Sequence, residues 1–179
     1  MGTDPGMLTT VVGLPRVSDD ELETLGRLNP GWAFERDDEG HTVMSPTSSR
    51  GGAKSSAAQK QLMLWQERTG AGGIVFDSST GFKMSTGAVR SPDASWLSQG
   101  RIDSLGQRIE ETFWPICPDV TIELRSPSEE WSAVVRKVRG YLREGASFAV
   151  AIDPVGKRHL AFGEPPAGLV LDIDAIVNA

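Results

Sequence analysis

The sequence predicts one domain of the α/β (α+β) class, a mixed central sheet flanked by helices, and three observations carry that prediction. Apolar runs such as Ile74-Val75-Phe76 and Phe148-Ala149-Val150-Ala151-Ile152 are strand-sized, far short of the ~20 residues that a membrane helix needs. Segments with helical spacing are interleaved with them, and one helix stands between two strands at 119–153. A chain of 179 residues with 39% hydrophobic side chains suits a single core.

Taken in order, residues 1–7, MGTDPGM, hold a second Met among small polar residues and read as an added leader, leaving 8–179 as the domain. Ser18-Asp19-Asp20-Glu21 has the form of a capping box, and Leu22, Leu25 and Leu28 continue it as a short helix that Asn29-Pro30-Gly31 stops. Segments 32–36 and 41–45 flank the polar Asp37-Asp38-Glu39-Gly40, which predicts a hairpin carrying Glu35. A helix near 54–69 follows from the spacing of Ala57, Ala58, Gln61, Leu62 and Trp65, and the glycines at 70, 72 and 73 end it. Short strands are expected at 73–77, 81–84 and 92–97, then a mixed connector over 98–117.

In the second half, Val120 to Arg125 alternates, so Thr121, Glu123 and Arg125 share one face and Val120, Ile122 and Leu124 the other. Ser126-Pro127-Ser128-Glu129 reads as the capped start of a helix that runs to Glu144. A strand at 147–153 and a return strand at 158–162 complete the chain.

Charge narrows the function. Eighteen basic against 24 acidic residues leave a net charge of −6, which excludes a generic basic DNA-coating protein. With a lone Cys117 and no apolar leader, a cytoplasmic protein is expected. His41 and His159 have no metal-like spacing with Cys117, and no P-loop, dinucleotide or G-x-S-x-G motif is present.

Four ionisable residues remain. Asp93, where a strand end meets a loop, and Glu123, in mid-strand, are two carboxylates of the kind that hold a hard cation such as Mg²⁺. Lys137 shares the helical stripe of Val134, Val138 and Tyr141, so it faces the sheet. It is either a stem covering apolar surface or an ammonium that neutralises a transition-state phosphate. Arg125 either grips a phosphate as a planar fork or pairs with Glu123. Glu35 is a further ligand, a water-positioning acid or an exposed strand glutamate. Arg125, Arg136, Lys137, Arg139 and Arg143 crowd into 19 positions, as a phosphate track or as a solvated helix face.

The order of "SPD" at 91–93, "IEL" at 122–124 before Arg125, Lys137 and Tyr141 on the next helix, and "IDP" at 152–154 resembles the prokaryotic "putative restriction endonuclease" domain family. That family is a branch of the PD-(D/E)XK nuclease superfamily. "MSPT" at 44–47, "VFDSSTGFKM" at 75–84, "RSPDASWLS" at 90–98 and "CPDVTIELRSPSE" at 117–129 are similar to one subgroup. The resemblance implies a restriction-endonuclease-like core of αβββαβ order, with an extra N-terminal helix and hairpin. It implies Asp93 and Glu123 as metal-binding acids, with Glu35 matching an acid ahead of the "MSP" strand. The superfamily lysine stands two residues after the glutamate, where this chain has Arg125; in this branch it sits on the following helix, and Lys137 matches it. Ala53, Lys54, Ser55 and Ala57 depart from the Asn, Arg and Glu that the subgroup carries there.

The function so implied is a Mg²⁺- or Mn²⁺-dependent DNA endonuclease with Asp93, Glu123, Lys137 and Glu35 as catalytic residues and Arg125 on a substrate phosphate. Its expected partners are DNA, the metal and a second copy in a homodimer, with no membrane association. The alternative is a catalytically silent nucleic-acid or partner-binding module on the same fold.

Overall fold

In the computed structural model, which describes residues 11–14, 16–106 and 112–179, the capping box forms as expected. Ser18 accepts from the Glu21 amide and the Glu21 side chain reaches back to the Ser18 amide, opening α1 (Asp19–Leu28). The predicted leader, residues 1–7, lies outside the described residues.

A first sheet holds β1 (Val11–Leu14), β2 (Trp32–Arg36), β3 (Thr42–Pro46), β5 (Phe82–Lys83) and β6 (Val89–Arg90), in the order β1-β3-β2-β6-β5 and antiparallel throughout. The expected hairpin is β2–β3, paired from Trp32 opposite Pro46 to Arg36 opposite Thr42. The second, larger sheet holds β4 (Gly73–Asp77), β7 (Ala94–Ser98), β8 (Val120–Leu124), β9 (Phe148–Asp153) and β10 (Arg158–Gly163), in the order β10-β9-β8-β7-β4. It is mixed because β8 and β9 run parallel while its other pairs are antiparallel.

Parallel neighbours need a crossover, and α4 (Trp131–Arg143) provides it between β8 and β9. The remaining helices are α2 (Ser49–Thr69), α3 (Gln99–Asp103) and α5 (Ile173–Val177). From α2 onward the order of the main elements, α2-β4-β7-β8-α4-β9, is the expected αβββαβ core, with β5 and β6 as an excursion into the small sheet.

Both faces of the larger sheet are covered. Ala94, Trp96, Val120, Ile122, Val150 and Ile152 pack with Ala58, Leu62 and Trp65 of α2 and Ile176 of α5. On the other face Leu97, Ala149 and Ala151 meet Val134, Val138 and Tyr141 of α4, along with Phe76, Phe82 and Met84. The polar side of β8 is therefore not a solvent face: Glu123 is only 6% exposed and Thr121 fully buried.

Three local expectations are corrected. Helix α4 begins at Trp131, not near Ser126, because Ser126–Glu129 closes as a turn in which the Glu129 amide bonds to the Ser126 carbonyl and the Glu129 side chain returns to the Ser126 amide. The strand expected at 81–84 is only the two-residue β5, and α3 lies inside the stretch read as a connector. β1, β6 and α5 were not anticipated; Asp172 caps α5 by accepting from the Ala175 amide. Helix α2 ends as expected at Gly70, which is left-handed (φ 68°), and at Gly73 (φ 123°) a Cβ would lie 2.2 Å from the Leu97 carbonyl oxygen.

Arg36, 5% exposed, ties the N-terminal segment to the small sheet, with Nη1 donating to Asp19 and the Gly87 carbonyl and Nη2 to the Val17 carbonyl. Replacing it by Ala leaves two half-buried carbonyls without their donor and Asp19 without one of its cations, so Arg36→Ala should lower unfolding stability by about 3 kcal/mol in urea titrations. A loss under 1 kcal/mol would show that the guanidinium is dispensable.

Candidate active site

Helix α4, one strand from each sheet and the loop ahead of β7 bring three acids around one lysine. The stripe position of Lys137 on α4 aims its ammonium back at the larger sheet, where it lies 3.0 and 3.1 Å from the two carboxylate oxygens of Glu123 on β8. The same ammonium is 2.9 Å from Oε1 of Glu35 on β2, which also accepts from the Ser91 amide at 2.6 Å. One helical turn after Lys137, the Tyr141 hydroxyl donates to Glu123 Oε1 at 2.6 Å. Asp93, just ahead of β7, accepts from the Ser55 hydroxyl of α2 at 2.8 Å and from the Leu124 amide at 2.7 Å. Each carboxylate is thus fixed by at least two donors.

The electrostatics follow from burial. Removal from water pushes Glu123 up to about 8, against the pull of Lys137 and with the help of the Asp93 and Glu35 charges. Asp93 is also raised, because burial outweighs the bonds from Leu124 and Ser55. Glu35 goes the other way: burial raises it, but Lys137, Arg90 and the Ser91 amide together hold it below the ordinary range. Burial opposes charge on Lys137 too, yet Glu123 and Glu35 keep it charged well above its ordinary value. Three carboxylates here face two cations, Lys137 and Arg90, and Arg90 divides its charge between Glu35 at 3.8 Å and Asp38 at 3.3 Å.

A divalent cation fits this donor set. The available donors are hard carboxylate oxygens with lone pairs to spare, the kind that a divalent cation takes. A separate group, Asp37, Glu39 and His41 on the β2–β3 turn, has ligand atoms within 4.8 Å of one another, but Glu39 and His41 are exposed and none of the expected residues belongs to it.

Of the residues singled out from sequence, Glu35, Glu123 and Lys137 are in direct contact, and Asp93 is held by the backbone next to Glu123. Arg125 is not at Glu123. Its Nε pairs with the buried Asp153 at 2.9 Å and its Nη1 donates to the Ser126 and Glu129 carbonyls. A phosphate grip by Arg125 would have to give up contacts that fasten the end of β8 to the end of β9. Asp153 is in turn shared with Arg158, and although burial raises it, the Gly156 amide and the two guanidiniums hold it at about 2.

Ser55, Tyr141 and Arg90 are the functional candidates that sequence reasoning missed. Tyr141 was placed on the inward stripe without a task for its hydroxyl, and Ser55 was noted only as a departure from a family pattern. Arg90 stood unremarked two residues before Pro92; it meets Glu35 and Asp38 only through the fold, so no local signal marks it. Lys54 does not face the site: its ammonium bonds to the Val177 and Ala179 carbonyls and so fastens α5 to α2.

A family model described as "Uma2: Putative restriction endonuclease" matches residues 19–173. Among solved structures, a "putative nuclease belonging to DUF820" from Anabaena variabilis ATCC 29413 is similar at 21% identity, with a TM-score of 0.66 over 90% of this chain and 98% of that one. At that identity the similarity shows the fold, which is restriction-endonuclease-like. No curated protein matches. No helix among the described residues is long and apolar enough to cross a membrane.

Removing the ammonium strands two buried carboxylates, so Lys137→Met should cost about 3–5 kcal/mol of stability at pH 9, above the Glu123 value. Glu123 titrates from a raised value, so lowering the pH lets it take up a proton and relieves the repulsion; the deficit should shrink at pH 5.5. Urea unfolding at the two pH values measures both numbers, and a deficit that is equal or larger at pH 5.5 would contradict the charge cluster.

Proposed function

This chain belongs to the Uma2 family, described as "Putative restriction endonuclease", and from that premise we propose that it is a divalent-metal-dependent endonuclease that hydrolyses DNA phosphodiester bonds. Family membership supports nuclease action in general. The metal, the DNA and the residue roles are our reading, and the observation that carries it is Lys137 lying 3.1 Å or less from a buried Glu123 whose strand neighbour Leu124 holds Asp93.

In this reading Asp93 and Glu123 hold Mg²⁺ or Mn²⁺, which when bound supplies Lewis-acid polarisation of the phosphate and a water of lowered pKa. The chain's own residues do the rest. The Lys137 ammonium stabilises the extra negative charge that gathers on the phosphoryl oxygens as the water oxygen bonds to phosphorus. Glu35 keeps that ammonium charged and aimed. The Tyr141 hydroxyl sets the rotamer of Glu123, and Ser55 does the same for Asp93. The attacking water gives up a proton to solvent, and the 3′- or 5′-oxygen takes one from solvent as its bond to phosphorus breaks; burial of the cluster strengthens each of the charge interactions over its value in water. Because the strands of duplex DNA have opposite polarity, a two-fold homodimer is the assembly that would cut both.

Supercoiled plasmid at low salt, where phosphate binding is strongest, provides the test. We expect nicking in Mg²⁺ or Mn²⁺ and none in EDTA, with Asp93→Ala and Glu123→Gln at least 10³-fold slower and Lys137→Ala slower by about 10²–10³. Equal cleavage by the parent and Asp93→Ala proteins would refute the assignment. Bound but uncut DNA under all metals would make the fold a binding module.

A further inference from the structure

Beside the site lies a surface whose charge is opposite to that of the molecule. Helix α4 (131–143) and the segment 154–163, which contains β10, hold six of the 18 basic residues and none of the 24 acidic ones. Lys137 turns inward; Arg136, Arg139, Arg143, Lys157 and Arg158 are exposed. The two elements run side by side in the same direction. Arg158 sits 4.8 Å above the Trp131 ring at one end, Arg139 sits 5.0 Å above Phe162 further on, and Leu142 approaches Gly163 at the other.

The result is a ridge as long as α4, about 20 Å at 1.5 Å per residue. Its Arg143 end reaches the site: Arg143 comes within 3.8 Å of Asp38, and Asp38 lines a small cleft together with Arg90, Lys137 and Tyr141. Carboxylates border it at its ends, Asp38 and the Ser85-bound Glu144 beside Arg143, Glu164 after Gly163 and Glu130 before Trp131, and Asp153 lies buried beneath Arg158.

Resting on the nuclease reading, we propose that this α4–β10 ridge is the docking surface for the phosphate backbone of duplex DNA and delivers one strand to the Lys137 cleft. Duplex DNA carries a charge every ~1.7 Å of its axis, so a rigid row of exposed guanidiniums is its complement. Single-stranded nucleic acid is a poorer match, since it is usually held by bases stacked on open aromatic rings. The ridge's two aromatics, Trp131 and Phe162, already carry guanidiniums on their faces.

The test is anisotropy of a labelled 20-bp duplex in EDTA, with the full chain. Arg136→Glu/Arg143→Glu changes two exposed side chains that no core contact needs. We expect its Kd to rise at least tenfold at 50 mM salt and the slope of log K against log salt to fall by about two. Arg27→Glu/Lys60→Glu, on exposed positions of α1 and α2 and with the same change of net charge, should shift Kd less than threefold. Hydrolysis of bis(p-nitrophenyl) phosphate in Mn²⁺ reads the site alone and should be unchanged in Arg27→Glu/Lys60→Glu, and the urea midpoint of Arg136→Glu/Arg143→Glu should match the parent's. No binding by the parent, equal losses in both double variants, or single-stranded RNA displacing the duplex more strongly than unlabelled duplex does would overturn the ridge. Ridge-dependent binding without hydrolysis of either substrate would sustain the ridge and overturn the nuclease reading instead.

Discussion

The contact of the Lys137 ammonium with Glu123 and Glu35 is the constraint on which the remainder is arranged. Glu123 belongs to the larger sheet and Glu35 to the smaller, so one side chain on α4 joins the two. Burying like charges is unfavourable, and the protein offsets it by surrounding each acid with donors: Tyr141 and Lys137 at Glu123, Ser91 and Lys137 at Glu35, Ser55 and Leu124 at Asp93. The apolar stripe of α4 is what makes this possible. Val134, Val138 and Tyr141 seat the helix on the sheet, and Lys137, between them in the helical wheel, has nowhere to send its ammonium except along the acids.

The carrier of that charge differs from the more familiar arrangement in which the lysine follows the strand glutamate. Position 125 is an arginine, and its guanidinium is turned to Asp153. The strand position thereby becomes a fastening between β8 and β9, while the helix supplies the ammonium. Because β8 and β9 are parallel, their ends need such a fastening: α4 must leave one and return to the other, and the turn at 126–129 hangs from the Arg125 guanidinium through the Ser126 and Glu129 carbonyls.

Much of this was legible from local chemistry. The capping box at Ser18, the helix stop at Gly70, the alternation in β8 and the inward lysine are each decided within a few residues, where periodicity and capping rules apply. What was not legible depends on partners remote in sequence. Ser55 has meaning only opposite Asp93, 38 positions away, and Lys54 only against the carbonyls of 177 and 179. The motif at Ser126–Glu129 is a local signal that misleads: the side-chain return to the Ser126 amide forms, but on a turn, because Arg125 claims the Glu129 carbonyl. β1 and α5 are four and five residues long, and such elements are fixed by what they pack against rather than by their own propensity.

The separation of Glu35 from Lys137, 102 positions, has a consequence for the life of the chain at the ribosome. Synthesis delivers Glu35, Asp93 and Glu123 before the lysine, and α4 cannot seat until β9 has followed it and paired with β8. A nascent chain therefore holds all three acids while it lacks the ammonium that lets them share one buried place, and mutual repulsion keeps them hydrated and apart. Completion of the site is thus a late event of synthesis, coupled to the docking of one sheet on the other, and no fragment that ends before β9 can assemble it.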